Sequence, residues 1–256
     1  MTLFILGALA AGGLIGFIGG LLGIGGGLLA IPLLGLVLGM DQHLAQGTAL
    51  VMVLPAVLLS IRQYHQRARI DLRAAALGGL ASIIFTWVGA RIALGLDAWL
   101  LRQCYAGFIL CIALFYFHQS SRRPRIMARR RRRQTALTPP PGWFAVLGMV
   151  GGLTGGLFGV GGSVIVVPAL TLFLRYSQTR AQALALSMIV PGTAVAMVTY
   201  AAHAQVDWVV GLSLALGSIV MVPLGVRLAH GLPEPRLKLI FACMLLLIMV
   251  MLLFRV

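Results

Sequence analysis

Charge is what this chain has least of. Only 10% of its 256 residues are charged, and just five of those are acidic. The five acids lie at the edges of apolar stretches, so no carboxylate stands where a proton relay across a membrane would need one. Paired acids for catalysis are missing too. The five histidines also lie at block edges without ligand spacing, and there is no H-E-x-x-H or serine-nucleophile motif. Neither an enzyme nor a bound cofactor is expected. Cysteine is scarce as well: Cys104, Cys111 and Cys243 make an odd set inside apolar stretches. That excludes a disulfide framework or a metal set, and the three are read as small core residues.

What the chain has instead is apolar sequence, 60% of the total, with a mean hydropathy of +1.02. Blocks at about 3–39, 44–61, 74–95 and 100–117 are followed by blocks at about 143–174, 181–201, 207–229 and 237–254, most with the ~20 residues a bilayer span needs. The reading is an all-α polytopic membrane protein. Ala8-Leu9-Ala10 resembles a signal-peptidase site, but no basic region precedes it and its pattern returns in mid-chain. The first block is therefore expected to be a retained span.

Nearly all the net charge of +15 comes from arginine, eight of them between Arg122 and Arg133. Such a run between spans is a topology signal that holds its loop in the cytoplasm, against anionic lipid headgroups; a nucleic-acid partner is not expected. Pro139-Pro140-Pro141 then forms a stiff spacer. The chain divides into a first transmembrane repeat at 1–118, a basic cytoplasmic linker at 119–142 and a second transmembrane repeat at 143–256.

The two halves align at an offset of 136 residues. Gln42, Ala45 and Gln46 match Gln178, Ala181 and Gln182; Met52 and Pro55 match Met188 and Pro191; Tyr64 and Asp71 match Tyr200 and Asp207; Gly89, Arg91 and Gly95 match Gly225, Arg227 and Gly231. Internal repeats are an architecture of transporters. If each long first block is a hairpin, three further spans leave the halves inverted; if it is one broken span, they are parallel. Inversion puts most basic loops on the cytoplasmic side and is preferred.

Glycine is the costliest feature, because it weakens any helix that holds it. Gly12, Gly16 and Gly20, repeated as Gly148, Gly152 and Gly156, are spaced by four and form a close-packing face. Gly23, Gly25, Gly26 and Gly27, with Gly159, Gly161 and Gly162, fall off that spacing. Here the helix is expected to break, and a helix starting after the break presents N–H groups and a positive dipole end to an anion. Irregular backbone at membrane depth needs protein or an aqueous cavity around it. These glycines and Ser163 are the first candidates for a substrate site.

Gln46 and Gln182, with Thr48 and Ser187, are the next candidates, as neutral donors that serve an oxyanion or interhelical bonding equally well. Pro32, Pro55, Pro168 and Pro191 are candidate helix breaks or gates. Arg91 and Arg227 are matched positions that could attract an anion or snorkel to the interface. Asp71 and Asp207 are placed to cap the helices that follow them.

The G-x-x-G-x-G-G-G…P pattern of Gly20–Pro32, its copy at Gly156–Pro168 and the Gly47-Thr48 pair resemble the sulfite exporter TauE/SafE family, over nearly the whole chain. Ala183-Leu184 in place of a second Gly-Thr pair, and Ser163 in place of a third glycine, depart from that pattern. The resemblance implies a transporter of the cell inner membrane that exports sulfite, sulfoacetate or related organosulfonates. Uptake or exchange of another small anion or metabolite, and a non-transporting scaffold that docks through the arginine run, stay open. So does the oligomeric state, a homo-oligomer included.

Overall fold

The computed structural model describes residues 2–65, 71–121 and 140–231, together with positions 243, 244, 246 and 248. The arginine run, the Pro139 end of the spacer and most of the last apolar block lie outside the described residues. Within them the chain forms helices α1 (Thr2–Leu22), α2 (Gly27–Leu38), α3 (Gln42–His65), α4 (Leu72–Gly95), α5 (Ala98–Ser121), α6 (Gly142–Phe158), α7 (Ser163–Leu172), α8 (Gln178–Ala202) and α9 (Trp208–Gly231). The starts of α2, α3 and α4 precede those of α7, α8 and α9 by 136 residues each.

Six of these helices are long and apolar enough to cross a membrane: α1, α3, α4, α5, α8 and α9. Their outer faces carry exposed Leu80, Ile84, Leu114, Leu212, Leu216 and Val220, which a bilayer covers and water does not tolerate in such number. This is a multi-pass membrane protein. The three cysteines correct an expectation: Cys104, Cys111 and Cys243 are exposed. In a bilayer the outer face of a helix is as apolar as its inner face, so residue type alone does not place a small apolar side chain inside.

With 12 and 10 residues, α2 and α7 are only ~18 and ~15 Å long. Each returns along the helix before it. A Cβ on Gly162 would collide with the Gly151 carbonyl, although eleven residues of straight helix would separate them by ~16 Å. A Cβ on Gly19 would likewise stand 2.5 Å from the Gly26 nitrogen. The first block of each half is therefore a hairpin of one long and one short helix.

The long legs pack across the halves. Along α1, Cβ atoms on Gly12, Gly16 and Gly20 would collide with Leu214, Ser218 and Val222 of α9; along α6, those on Gly148, Gly152 and Gly156 would collide with Gly78, Ser82 and Thr86 of α4. The second set of pairs is the first shifted by 136 with the halves exchanged. The approach is reciprocal, since Gly225 faces the Phe17 carbonyl and Gly89 the Leu153 carbonyl. Missing side chains let the backbones touch, so the glycine ladder serves packing as its spacing predicts. α3 and α8 fill the centre between these two pairs. Both run through Pro55 and Pro191 without interruption, as α2 and α7 run through Pro32 and Pro168. The expected breaks at these prolines are not found, because each costs its helix one bond while the rest of the ladder holds.

Candidate functional site

The two hairpin turns are built from left-handed glycines. φ is 68°, 75° and 85° at Gly23, Gly25 and Gly26, and 67°, 77° and 67° at Gly159, Gly161 and Gly162. An L side chain costs ~1–2 kcal/mol at each such angle, so three of the four residues in each turn need to be glycine. Every residue of both turns is buried. The turns also meet: a Cβ on Gly27 would lie 3.1 Å from the Gly159 carbonyl oxygen and 3.4 Å from Val160 Cα. Val53 of α3 reaches both, at 3.2 Å from the Cβ position of Gly25 and 3.8 Å from that of Gly161. The short helices α2 and α7 thus begin at one place in the core; of their first N–H groups, that of Leu29 donates to the Gly26 carbonyl, and those of Ser163 and Ile165 donate to the Gly161 and Gly162 carbonyls.

Each turn is covered by a glutamine from the opposite half. Gln182 lies against Gly23, and Gln46 against Gly159, with 3.0 Å from its Cβ to the glycine's Cβ position. Both are almost wholly buried. The two amides are spent differently. Gln182 Nε2 donates to the Leu22 carbonyl oxygen at 2.8 Å, one of the acceptors that the end of α1 leaves open. On Gln46 it is Oε1 that is engaged, accepting from the Tyr200 hydroxyl at 2.6 Å, while Nε2 is buried without a partner. Ser163, the first residue of α7, is also fully buried with its hydroxyl unpartnered.

The remaining predicted positions are distributed as follows. Thr48 is buried, and its hydroxyl accepts from the Asp207 N–H at 3.0 Å, tying α3 to the start of α9. Ser187 donates to the Ala183 carbonyl one turn back, at 2.8 Å. Pro32 and Pro168 are buried in the short helices; Pro55 and Pro191 are half-buried in the central ones. Arg91 and Arg227 are exposed. Arg91 donates to His203 Nε2 at 3.1 Å and lies over Trp87. The structure thus brings together the turn glycines, Gln46, Gln182 and Ser163, and leaves the arginines on the surface. Asp71 caps α4 by accepting from the N–H groups of Arg73 and Ala74, and Asp207 accepts from Val210 N–H in the matching place.

Sequence reasoning passed over the tyrosines. The Tyr64 hydroxyl donates to the Gly20 carbonyl oxygen at 3.1 Å, and Tyr200 stands 3.2 Å from that of Gly156. Tyr105 of α5 donates to the Leu28 carbonyl oxygen at 3.1 Å, inside the first turn of α2. The match of Tyr64 with Tyr200 was the available signal; a mid-helix tyrosine whose ring is buried needs a polar partner for its hydroxyl.

The sequence profile of the family described as sulfite exporter TauE/SafE matches residues 8–252. A probable membrane transporter protein of Xylella fastidiosa strain 9a5c is 27% identical over 86% of this chain and 83% of its own length. One from strain Temecula1 of the same species is 26% identical over 88% and 84%. A third such protein, from Methanocaldococcus jannaschii, is 23% identical over 78% and 75%. No solved structure matches.

Proposed function

Since this chain belongs to the sulfite exporter TauE/SafE family, we propose that it exports small sulfur-containing anions (sulfite, sulfoacetate or related organosulfonates) across the cell inner membrane. The observation that carries this reading is the meeting of the two glycine turns, Gly27 against Gly159 and Val160, in the buried core between the halves. Two helix N-termini opening at one place give an anion N–H donors and positive dipole ends without any buried cation.

We infer further that the halves are inverted. A hairpin returns the chain to the side it came from, and α3, α4 and α5 then cross three times, so α6 starts on the opposite side. With Arg122–Arg133 in the cytoplasm, alternating access follows when one half moves against the other around the fixed turns. On this reading Arg91 and Arg227 supply positive charge at opposite surfaces. An interior-negative potential drives an anion outward by ~2.3 kcal/mol per charge per 100 mV, so export needs no coupling ion.

Purified protein in liposomes tests this. Sulfite or sulfonate flux should follow the imposed potential and should be lost in Gly25→Leu and Gly161→Leu. Flux that persists in both variants, with the protein folded, overturns the site; absence of flux in the parent protein overturns the transport reading. Net movement inward under an interior-negative potential would favour uptake or exchange instead.

A further inference from the structure

Gln46 and Gln182 occupy matched positions, and each lies against the first glycine of a turn, yet their amides point to different places. Gln182 is stretched along Gly23: the atoms nearest that glycine's Cβ position are its Nε2, Cδ and Cγ, at 2.7, 2.8 and 2.8 Å. Its Nε2 thereby reaches the carbonyl oxygen of Leu22, the last residue of α1. Against Gly159 the nearest atoms are instead Cβ, Cγ and Cα of Gln46, at 3.0, 3.2 and 3.3 Å. Its amide turns away to the Tyr200 hydroxyl, and Nε2 is left buried without a partner. The residue that matches Leu22 is Phe158, the last of α6. A helix end leaves its final carbonyls open, so the acceptor that would complete the match is the Phe158 carbonyl, one residue before the glycine that Gln46 already touches.

The tyrosines follow the same division. Tyr64 donates to the Gly20 carbonyl oxygen at 3.1 Å, whereas Tyr200 has the matching Gly156 oxygen at 3.2 Å but Gln46 Oε1 nearer, at 2.6 Å. A hydroxyl carries one proton, so Tyr200 serves one of the two at a time. When Gln46 leaves, Tyr200 falls back on Gly156, the bond that Tyr64 makes now. Exchanging the two arrangements between the halves breaks one amide–carbonyl bond and one tyrosine–amide bond and makes one of each. The orphaned nitrogen passes from Gln46 to Gln182. Like groups replace like, which is the condition for an element that can rest in either of two arrangements.

Resting on the reading of the halves as inverted units that move against each other, we propose that Gln46 and Gln182 form a two-position latch. In the arrangement described, Gln182 holds the end of α1 and Gln46 is released to Tyr200. In the alternate arrangement Gln46 holds the Phe158 carbonyl at the end of α6, and Gln182 is released to Tyr64. The latch sets which hairpin is pinned, each transport cycle exchanges the roles, and the buried unpartnered nitrogen marks the released half.

Hydrogen–deuterium exchange of the full chain in detergent, read by mass spectrometry on peptides covering the two turns, tests this without any substrate. In the parent protein the second turn should exchange faster than the first, about tenfold for the protection of one hydrogen bond. Gln182→Leu removes the latch of the first turn while Tyr64 keeps Gly20, so it should speed the first turn and slow the second. Gln46→Leu removes the alternate latch, so the first turn should be at least as protected as in the parent and the second no slower. The change at the far turn is decisive, because a glutamine that only satisfies its own carbonyl alters its own turn alone. Gln182→Met, which keeps the side-chain length, gives the same reading if the leucine variant does not fold. Turns that exchange alike in the parent, or Gln182 variants that affect the first turn alone, overturn the proposal. Reciprocal exchange without sulfite or sulfonate flux in liposomes would sink the transport reading and leave the latch standing, whereas flux with only local exchange effects would do the reverse.

Discussion

Gly16 on α1 lies so close to Ser218 on α9 that a Cβ on the glycine would stand 2.5 Å from the serine Cα. The obstacle is backbone, which cannot rotate away. Gly152 stands in the same relation to Ser82, at 2.8 Å from its Cα. Gly16→Leu and Gly152→Leu should therefore each destabilise by ~3 kcal/mol or more, beyond ordinary overpacking because two helices must separate. Gly7 and Gly107 have open space at the Cβ position. Leucine there should be neutral or stabilise by up to ~1 kcal/mol through helix propensity. Thermal unfolding of the four variants in detergent, followed by size-exclusion profile, separates the two classes.

The turn glycines differ in what an added methyl meets, so alanine should cost different amounts at matched positions. At Gly161 the nearest atoms are 3.6 Å or more away, and only the positive φ is violated. Gly161→Ala should cost ~1–2 kcal/mol. At Gly25 the methyl would also stand 2.6 Å from Val57 Cγ2. Gly25→Ala should cost more, and Val57→Ala should recover part of the difference in a double-mutant cycle. Additivity of the two substitutions would contradict the described packing.

Gln182→Leu removes the partner of the Leu22 carbonyl oxygen at a fully buried position. The expected loss is ~1–3 kcal/mol, the cost of an orphaned acceptor. Gln46→Leu removes an amide whose nitrogen is already unpartnered, and Tyr200 keeps the Gly156 carbonyl oxygen within 3.2 Å. It should cost less stability than Gln182→Leu. Thermal unfolding without added anion measures both; the reverse order would show that the two amides are not bonded as described.

How much of this was legible beforehand depends on the kind of information each feature carries. The packing ladder was readable because a spacing of four places Gly12, Gly16 and Gly20 on one helix face whatever surrounds it. The membrane class was readable from composition. The reversal of the chain at Gly23 and Gly159 was favoured only indirectly, through the charge of the loops, because glycine permits left-handed and right-handed angles alike and the choice is made by tertiary packing. The unequal bonding of Gln46 and Gln182 was hidden for another reason. The residues are identical, and the difference lies in which group each reaches across ~150 residues of chain. Thr48 read as a free donor near the site, yet its hydroxyl accepts from Asp207, a pairing no local pattern announces. Ser163 was visible as a departure from its glycine counterpart, and it is there that the two turns diverge.

Orientation of the halves is the last prediction, and it is decided by labelling. Asp41 and Ser177 are exposed, 136 residues apart, and each accepts a hydrogen bond at the start of the central helix that follows it, from Leu44 N–H and Arg180 N–H. A cysteine at either costs one cap, about 1 kcal/mol, which single substitutions in a background lacking Cys104, Cys111 and Cys243 should tolerate. Because α3, α4 and α5 follow Asp41 and α6 and α7 form a hairpin, the chain reaches Ser177 after an odd number of crossings from Asp41. A membrane-impermeant maleimide applied to sealed right-side-out vesicles should label one cysteine at once and the other only after the vesicles are opened. Labelling of both from the same side would mean that α7 does not return the chain to the face from which α6 started. The paired turns would then belong to parallel halves, and the rocking mechanism built on inversion would fall with it.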